Sequence, residues 1–325
     1  MTRSRDVANI IKQPFTTTLG TSNYRAGVNA GNSIASGGNY NVCVGDEAGT
    51  AISTGDNNTL IGYVAGDAIS TSSANTAVGS FAMTSMTDGA DNVAVGTSAL
   101  DVDTKGSKTV AVGRNALGTQ NFTTATESNN VAVGYEAGKA VTTGRSNTLL
   151  GKSAGLALTD ADFNVAVGTD ALATDTLGSQ STAVGVGALY SQNFTTATDT
   201  YNTAVGRSAG LSVTTGTFNT LVGGLSGDAI TDGINNTGIG YASLGALTQG
   251  TRNTAIGYTS LDSDTLGSKS TAIGYSALGV QNFTTATDSF NVAVGHEAGA
   301  AVTTAEQNTL IGALAGDALN TGALN

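Results

Sequence analysis

Residue types that commonly carry out chemistry are scarce in this sequence. Its 325 residues include one histidine, His296, one cysteine, Cys43, and no tryptophan. The sequence lacks the sets of residues that three kinds of site need. These are metal sites made of Cys and His, nucleophilic catalytic sites of the Ser/His/Asp or Cys/His type, and disulfide frameworks. There is also no P-loop, no Gly-x-Ser-x-Gly elbow and no Gly-Gly-x-Gly-x-Asp calcium repeat. We therefore expect no catalytic residue, no metal site and no cofactor, and a protein that is not an enzyme.

The charge balance argues against two classes of partner. The chain has 13 basic and 24 acidic residues, a formal net charge of −11, which repels phosphate backbones and anionic lipid head groups. No apolar run approaches the ~18 residues of a membrane span, and the first residues lack the apolar stretch of a signal peptide. We expect no nucleic-acid partner, no membrane insertion and assembly in a cytoplasm, with which the single unpaired cysteine agrees.

Internal repeats organise the chain. A Val, Ile or Leu followed by glycine recurs sixteen times from Gly45 to Gly312; twelve of the fifteen spacings are 17 residues and three are 21. A seventeenth, imperfect copy starts near Gly27. We number the positions of a copy from this anchor glycine, which is position 0. One short strand per copy, followed by Gly, Asn, Ser and Thr corners, is typical of a β-solenoid whose successive strands pair in parallel.

The copies form an alignment within one chain. Position −1 is always Val, Ile or Leu, which predicts a buried strand residue, whereas position +1 varies and is predicted to face solvent. Position −4 is Asn in thirteen copies, which predicts a turn or a ladder of stacked Asn side chains. The predicted fold class is all-β: a parallel β-solenoid or β-roll of about 16–17 coils over residues 23–325, with residues 1–22 as a separate segment.

The strand is apolar on both faces, and this pattern predicts an oligomer. Positions −3 and −1 share one face, and position −2 on the other face is Ala in ten copies and Leu in four. Wherever −2 is Leu, +4 is Gly, and the bulky residues at +4 accompany Ala or Gly at −2. This compensation indicates one shared packing space. Since a strand that is apolar on both faces is covered on both, we predict an intertwined or side-by-side homo-oligomer, with an elongated homotrimer favoured.

Four copies carry the residues of a family resemblance. They read Asn-Val-Cys-Val-Gly or Asn-Val-Ala-Val-Gly followed by x-x-Ala, with anchor glycines Gly45, Gly96, Gly168 and Gly295. These units resemble the head repeats of trimeric autotransporter adhesins of the YadA type, over nearly all of residues 23–325 and with a longer period. The resemblance implies a trimeric left-handed parallel β-roll that attaches to surfaces. Similar repeats occur in bacteriophage fibres, and the segment at 4–11 resembles segments of cyanophage virion proteins.

The N-terminal segment and the resemblance together predict the function. Residues 1–22 are basic with helically spaced apolar residues, and we interpret them as a peptide that docks on a virion protein, the alternative being a frayed terminus. The docking residues would be Arg3, Arg5, Val7, Ile10 and Ile11. The chain is then a structural fibre or appendage of a phage virion, on tail or capsid, that mediates host attachment. Two alternatives are a cell-surface glycan-binding adhesin and a tailspike that depolymerises polysaccharide.

Position +1 is the candidate ligand surface. Aromatic rings occupy it in four successive coils, at Tyr241, Tyr258, Tyr275 and His296. Such a stripe can stack the sugar rings of a host polysaccharide, or it can be a solvent-facing stacking ladder. Cys43 replaces Ala or Leu at −2 and is predicted to be a small packing residue.

The three 21-residue coils share the insert Gln-Asn-Phe-Thr-Thr-Ala-Thr. Each follows a coil with Asp-Thr-x-Gly-Ser and with Thr or Ser in place of Asn at −4, so these departures form one module. We expect Phe122, Phe194 and Phe283 to cap a seam between chains, because Phe prefers burial. Protruding contact loops are the alternative.

Overall fold

The computed structural model describes residues 20–322. The predicted docking residues, Arg3, Arg5, Val7, Ile10 and Ile11, lie outside this range. The described chain is all-β, a parallel β-solenoid of about 17 turns with a period of 17 residues, and it falls into two compact units. The first unit comprises residues 20–109 and 121–127, and the second comprises residues 110–120 and 128–322. Within residues 20–322, no helix is long and apolar enough to cross a membrane.

The first unit contains one three-residue strand per coil. Each strand pairs in parallel with the strand of the next coil, in the order Tyr24–Ala26, Val42–Val44, Thr59–Ile61, Thr76–Val78 and Val93–Val95. The two-residue strands Gly106–Ser107 and Thr126–Glu127 pair separately. This short ladder is formed at the insert of the first 21-residue coil.

The second unit repeats the same arrangement over twelve coils. Its strands pair in parallel in chain order: Val110–Val112, Val131–Val133, Thr148–Leu150, Val165–Val167, Thr182–Val184, Thr203–Val205, Thr220–Val222, Thr237–Ile239, Thr254–Ile256, Thr271–Ile273, Val292–Val294 and Thr309–Ile311. Two short ladders stand apart from this sheet. They join Gly178–Ser179 to Thr198–Asp199, and Gly267–Ser268 to Thr287–Asp288.

Only one face of each strand is buried within the chain. From Cys43 to Leu310, the residue at position −2 is buried in every coil, and the residues at +3 and +7 are buried in every coil except the last, where Ala315 and Leu319 are partly exposed. Positions −3 and −1 point the other way because side chains alternate along a strand, and every one of them is partly or fully exposed. The prediction that position −1 is buried is therefore wrong for the chain by itself. The core of each coil is built on position −2.

The volume compensation between −2 and +4 takes place inside each coil. A Cβ atom added to Gly66 would lie 2.7 Å from Cδ2 of Leu60, and one added to Gly227 would lie 2.7 Å from Cδ2 of Leu221. The coil interior thus has room for one large side chain at this level, from −2 or from +4. The shared packing space predicted from the sequence belongs to one chain, and it says nothing about a second one.

Two separate constraints, one on the backbone conformation and one on the space between coils, require glycine at the anchor position. Its φ lies between 126° and 144° in all sixteen coils, a region that is essentially restricted to glycine. A Cβ atom on Gly223 would also stand 2.3 Å from the carbonyl oxygen of Gly240 in the next coil. The turn after each strand and the close stacking of the coils therefore both exclude a side chain.

Left-handed backbone recurs at three further positions, which the sequence did not predict. Positions +2 and +4 and the residue before the Asn column have φ near 60° in most coils, and most of these residues are not glycine. Leu244 at +4, for example, has φ 59° and is fully buried. A left-handed L-residue costs roughly 1–2 kcal/mol. Here the turn brings two consecutive side chains, at +3 and +4, into the core, and their burial offsets that cost.

The predicted Asn ladder is confirmed. Asn236 is completely buried; its Oδ1 accepts the backbone N–H of Asn253 at 3.0 Å, and its Nδ2 donates to the carbonyl oxygen of Gly250 at 2.8 Å. Asn219 makes the same contacts one coil earlier, with Asn236 and Gly233. Each Asn thus bonds the next coil at two points, its −4 backbone N–H and the carbonyl of the corner three residues earlier, so these buried backbone groups have partners.

Candidate functional site

The buried polar module of the 21-residue coils replaces one step of the Asn ladder. At the second copy, Ser181 stands at −4, and its Oγ contacts Oγ1 of Thr200 in the next coil, while the backbone N–H of Asn202 donates to Thr200 instead of to the −4 side chain. Gln192 takes over: its Oε1 accepts Nδ2 of Asn202 at 2.9 Å, and its Nε2 donates to Asp175 Oδ2 at 2.5 Å and to Ser181 Oγ at 2.8 Å. The Asp, the short −4 residue and the Gln therefore occur together because they form one hydrogen-bonded cluster.

The carboxylate of this module is a structural acceptor. In the third copy, Asp264 is fully buried and accepts the backbone N–H groups of Gly267 and Phe283, both at 3.0 Å, and Nε2 of Gln281 at 2.6 Å. Burial raises the pKa of the Asp264 carboxyl, and these hydrogen bonds act in the opposite direction. A fully bonded carboxylate without access to solvent cannot meet a substrate, so the module stabilises the fold.

The inserts bury their phenylalanines within their own chain. The exposed fraction is 5% for Phe122, 7% for Phe194 and 5% for Phe283. The residues that follow each Phe, Thr-Thr-Ala, are exposed. Burial of the ring therefore needs no second chain, and the physical reason for expecting a seam at the inserts is removed. The outward part of each insert is a small, threonine-rich bulge.

A hydroxyl column along position +8 was missed by sequence reasoning. The side-chain Oγ1 of Thr214 donates to the carbonyl oxygen of Thr231 at 3.1 Å, and Thr248 donates to Thr265 in the same way at 2.9 Å. The signal was available, because position +8 is Ser, Thr or Asn in all sixteen coils. These hydroxyls satisfy backbone groups at a corner and stabilise coil stacking.

The predicted aromatic stripe is a continuous stack of rings. Ring centroids are 5.3 Å apart between Tyr241 and Tyr258, 5.5 Å between Tyr258 and Tyr275, and 5.0 Å between Tyr275 and His296, with interplanar angles of 6–18°. Each tyrosine is about half exposed. Because Tyr258 and Tyr275 have a neighbouring ring on both faces, they offer their edges and hydroxyl groups to solvent. A sugar ring would meet this ladder from the side, since the inner ring faces are covered.

Other exposed aromatic residues lie outside this ladder. At +1, Tyr63 packs edge to face with Phe81, and Arg114 lies over the ring of Tyr135. A second column, the residue before the Asn, was missed: it stacks Tyr201 on Phe218 at 5.5 Å. Its signal was a Tyr or Phe at that position in five coils, at Tyr40, Phe163, Tyr201, Phe218 and Phe290. The longest stack in the described residues is nevertheless the one from Tyr241 to His296.

A shallow depression of about 260 Å³ lies beside the aromatic ladder, in the second unit. We call it the ladder groove. It is lined by Thr259, Asp262, Ser276, Gly279, Val280, Glu297 and Ala300. These are the +2 and +5 residues of the coils that carry Tyr258, Tyr275 and His296, with Val280 at +6. Small residues at +5 open the groove, and burial raises the pKa of the Asp262 carboxyl at its edge.

The single cysteine and the single histidine differ in their access to solvent. Cys43 is fully buried, and burial raises the pKa of its thiol to about 11, so the reactive thiolate is rare at neutral pH. His296 is exposed at the end of the ladder, and its Nδ1 lies 3.9 Å from a carboxylate oxygen of Glu297. Among residues 20–322, no cluster of three or more His, Cys, Asp or Glu side chains is arranged to hold a metal ion.

The fold and its surface define the class of protein: a parallel β-solenoid repeat protein with an aromatic ladder on its outer face. Comparison with models of known protein families and with curated proteins found no match to this chain.

Proposed function

We propose that this chain is a structural attachment protein, a homotrimeric fibre or appendage of a bacteriophage virion that contacts the host surface. The observation that carries the proposal is the outer face of the solenoid sheet. Positions −3 and −1 hold only Thr, Val, Ile and Leu in all sixteen coils, with no charged residue, although every one of them is at least partly exposed in the single chain.

A face of this kind favours association with further copies of the chain. Parallel sheets are normally covered on both faces, and extended apolar surface on a soluble protein marks an interaction site. The other outward positions, +1, +2 and +5, do carry charges, such as Arg114, Glu136 and Asp101. A second copy brings the same uncharged face with the same spacing between coils, so the two surfaces match along their length. Three copies around one axis cover each other's faces, as the resemblance to trimeric adhesin heads implies.

The oligomer is tested by placing a charge on this face. Ile239 is 38% exposed in the single chain, so Ile239→Lys leaves folding within about 0.5 kcal/mol of the native protein. In a trimer, three lysine side chains would meet in an apolar interface, and we expect dissociation. Light scattering should find a mass of about three times 32.0 kDa for the native protein and a single-chain mass for the variant.

The matched control is Asn235→Lys. Asn235 precedes the Asn column, where Lys269 already occupies the equivalent position with φ 63°, and it does not lie on the uncharged face. This variant should remain a trimer. A native protein that scatters light as a monomer, or an Ile239→Lys variant that stays trimeric, would contradict the proposal.

Attachment to the virion is proposed for residues 1–22, through Arg3, Arg5, Val7, Ile10 and Ile11. Deleting residues 1–20 should leave a folded oligomer, because the first strand of the described residues, Tyr24–Ala26, lies after the deletion. The truncated protein is expected to be absent from purified particles when it replaces the native protein during assembly. Normal incorporation, measured by quantitative immunoblotting of particles, would show that the segment is not the docking element.

A further inference from the structure

We propose that the ladder groove binds an extended, non-anionic polysaccharide that runs along the direction of coil stacking, with one sugar residue for each coil. This inference deepens the proposed attachment function and rests on it, because it names the class of receptor and the place where it binds. The occupant is argued from three features of the groove: its repeat distance, its chemistry and its charge.

The repeat distance suits a linear glycan. Successive coils are one parallel strand spacing apart, ~4.8 Å, and the rings of the ladder follow at 5.0–5.5 Å. A pyranose in an extended chain advances by a similar length. A glycan lying along the groove therefore presents each sugar to the +2 and +5 positions of one coil, and the +1 ring of that coil precedes the +2 residue in the sequence. Folded or branched glycans lack this straight repeat.

The chemistry of each coil is suited to sugars. At +1 the edge of a ring offers an apolar contact for C–H groups and a phenol for hydrogen bonding. At +2, Thr259 and Ser276 supply hydroxyl groups, which lie 2.9 Å from one another, and Glu297 supplies a carboxylate. At +5, Gly279 and Ala300 leave the floor open. Four of the seven lining residues therefore carry polar side chains that can bond the hydroxyl groups of a sugar.

The charge of the groove excludes anionic sugars. Asp262 and Glu297 line it, and no Lys or Arg occupies +1, +2 or +5 in the four coils from Tyr241 to His296. The raised pKa of the Asp262 carboxyl reflects partial removal from water, where repulsion of a second carboxylate is strongest. The two carboxylates accept hydrogen bonds from sugar hydroxyls. Neutral sugars are therefore preferred to uronates and sulfated sugars.

The first experiment measures the affinity of the full chain for β-1,4-linked glucose and N-acetylglucosamine oligomers of two to six residues by calorimetry. The groove residues belong to three coils, so affinity should rise about tenfold from disaccharide to trisaccharide and then level off. An oligogalacturonate of equal length should bind at least about tenfold more weakly. Affinity that is independent of length, or equal for the anionic oligomer, would overturn the proposal.

Variants locate the site. Ala300→Arg fills the groove with a long cationic side chain and should weaken binding of the tetrasaccharide at least about tenfold. Leu156→Arg makes the same kind of change at +5 of a coil without the ladder and should bind like the native protein. Glu297→Gln should leave the affinity for the neutral oligosaccharides unchanged. Its affinity for oligogalacturonate should rise toward that value, because one repelling carboxylate is removed. Circular dichroism and light scattering check that each variant is folded and assembled, and equal binding by Ala300→Arg and Leu156→Arg would exclude the groove.

A parallel adhesion assay separates this inference from the proposed function. Native protein and Ala300→Arg are applied to immobilised envelope polysaccharides and to intact bacterial cells. If the native protein adheres and the variant does not, both proposals are supported. Equal adhesion by the two proteins would overturn the groove alone, whereas a native protein that adheres to no surface would overturn the attachment function.

Discussion

Replacing the anchor glycine Gly223 with alanine will destabilise the solenoid by at least about 3 kcal/mol. The backbone at Gly223 has φ +139°, where an L-residue is strained by roughly 1–3 kcal/mol. The new methyl group would also stand 2.3 Å from the carbonyl oxygen of Gly240, so the coils must separate locally. Because each coil contacts only its neighbours, loss of one interface weakens cooperation along the stack. The measurement is the urea midpoint, followed by circular dichroism.

The adjacent residue provides a control of the same chemical change. Gly224 has no left-handed φ, and a Cβ atom there would lie 3.6 Å from the ring of Tyr241 and 4.0 Å from the carbonyl oxygen of Arg207, both ordinary contacts. Gly224→Ala should therefore change stability by no more than about 0.5 kcal/mol, or raise it slightly by restricting the unfolded chain. Equal midpoints for Gly223→Ala and Gly224→Ala would contradict the account of the anchor position.

Removing one member of the Asn ladder is the second change with a large expected effect. Asn236→Ala leaves the backbone N–H of Asn253 and the carbonyl of Gly250 without their side-chain partners. Both groups lie in the interior, where an unsatisfied polar group costs about 1–3 kcal/mol. We expect a loss of roughly 2–4 kcal/mol, with faster amide exchange at Asn253. Urea unfolding and hydrogen exchange with mass spectrometry measure the two effects.

The control for the Asn ladder is Asn235, the exposed residue that precedes Asn236 in the sequence. Asn235 is exposed, and Ala74 holds the equivalent position of another coil with φ 60°. Asn235→Ala removes the same type of side chain. It should lower the free energy of unfolding by only about 1 kcal/mol, because Asn tolerates a left-handed backbone better than Ala does. If Asn236→Ala were no more destabilising than Asn235→Ala, the buried hydrogen bonds would not be what holds the coils together.

Both predictions concern columns that are visible in the sequence. The anchor glycine and the Asn at −4 stand at fixed places in nearly every copy, and each makes the same contact with the next coil. When a residue contacts the same position of the next copy, its type recurs at a fixed place in the repeat, and an alignment of the copies shows it. The strand, the coil period, the parallel stacking and the Asn ladder were predictable for this reason.

The inward direction of the strand was not predictable from the alignment. Positions −1 and −2 are both apolar, and the sequence favoured −1 as the buried one. Burial of −2 follows from left-handed residues such as Leu244 at +4, which turn the chain so that +3 and +4 enter the same interior. Most of these positions hold ordinary side chains, and sequence patterns that rely on glycine to mark left-handed turns do not reveal them.

The structure of the inserts was likewise only partly predictable from the sequence. The association of Asp175, Ser181 and Gln192 was evident as a pattern, but its meaning depended on which atoms meet across 11 and 17 residues of chain. The ring of Phe194 was expected to be covered by a second chain, but its own chain already buries it. Burial of a large side chain is predictable from its type, whereas the surface that covers it is not.

The sequence by itself determined that this protein is a stack of similar parallel β-coils, because the anchor glycine recurs in all sixteen aligned copies and the Asn at −4 in thirteen of them. Only the tertiary structure decided which strand face is inside and that the rings from Tyr241 to His296 cover one another's faces beside an open groove. The physical reason is that these properties depend on the direction in which backbone turns send each side chain. Spacing alone determines only which residues are neighbours.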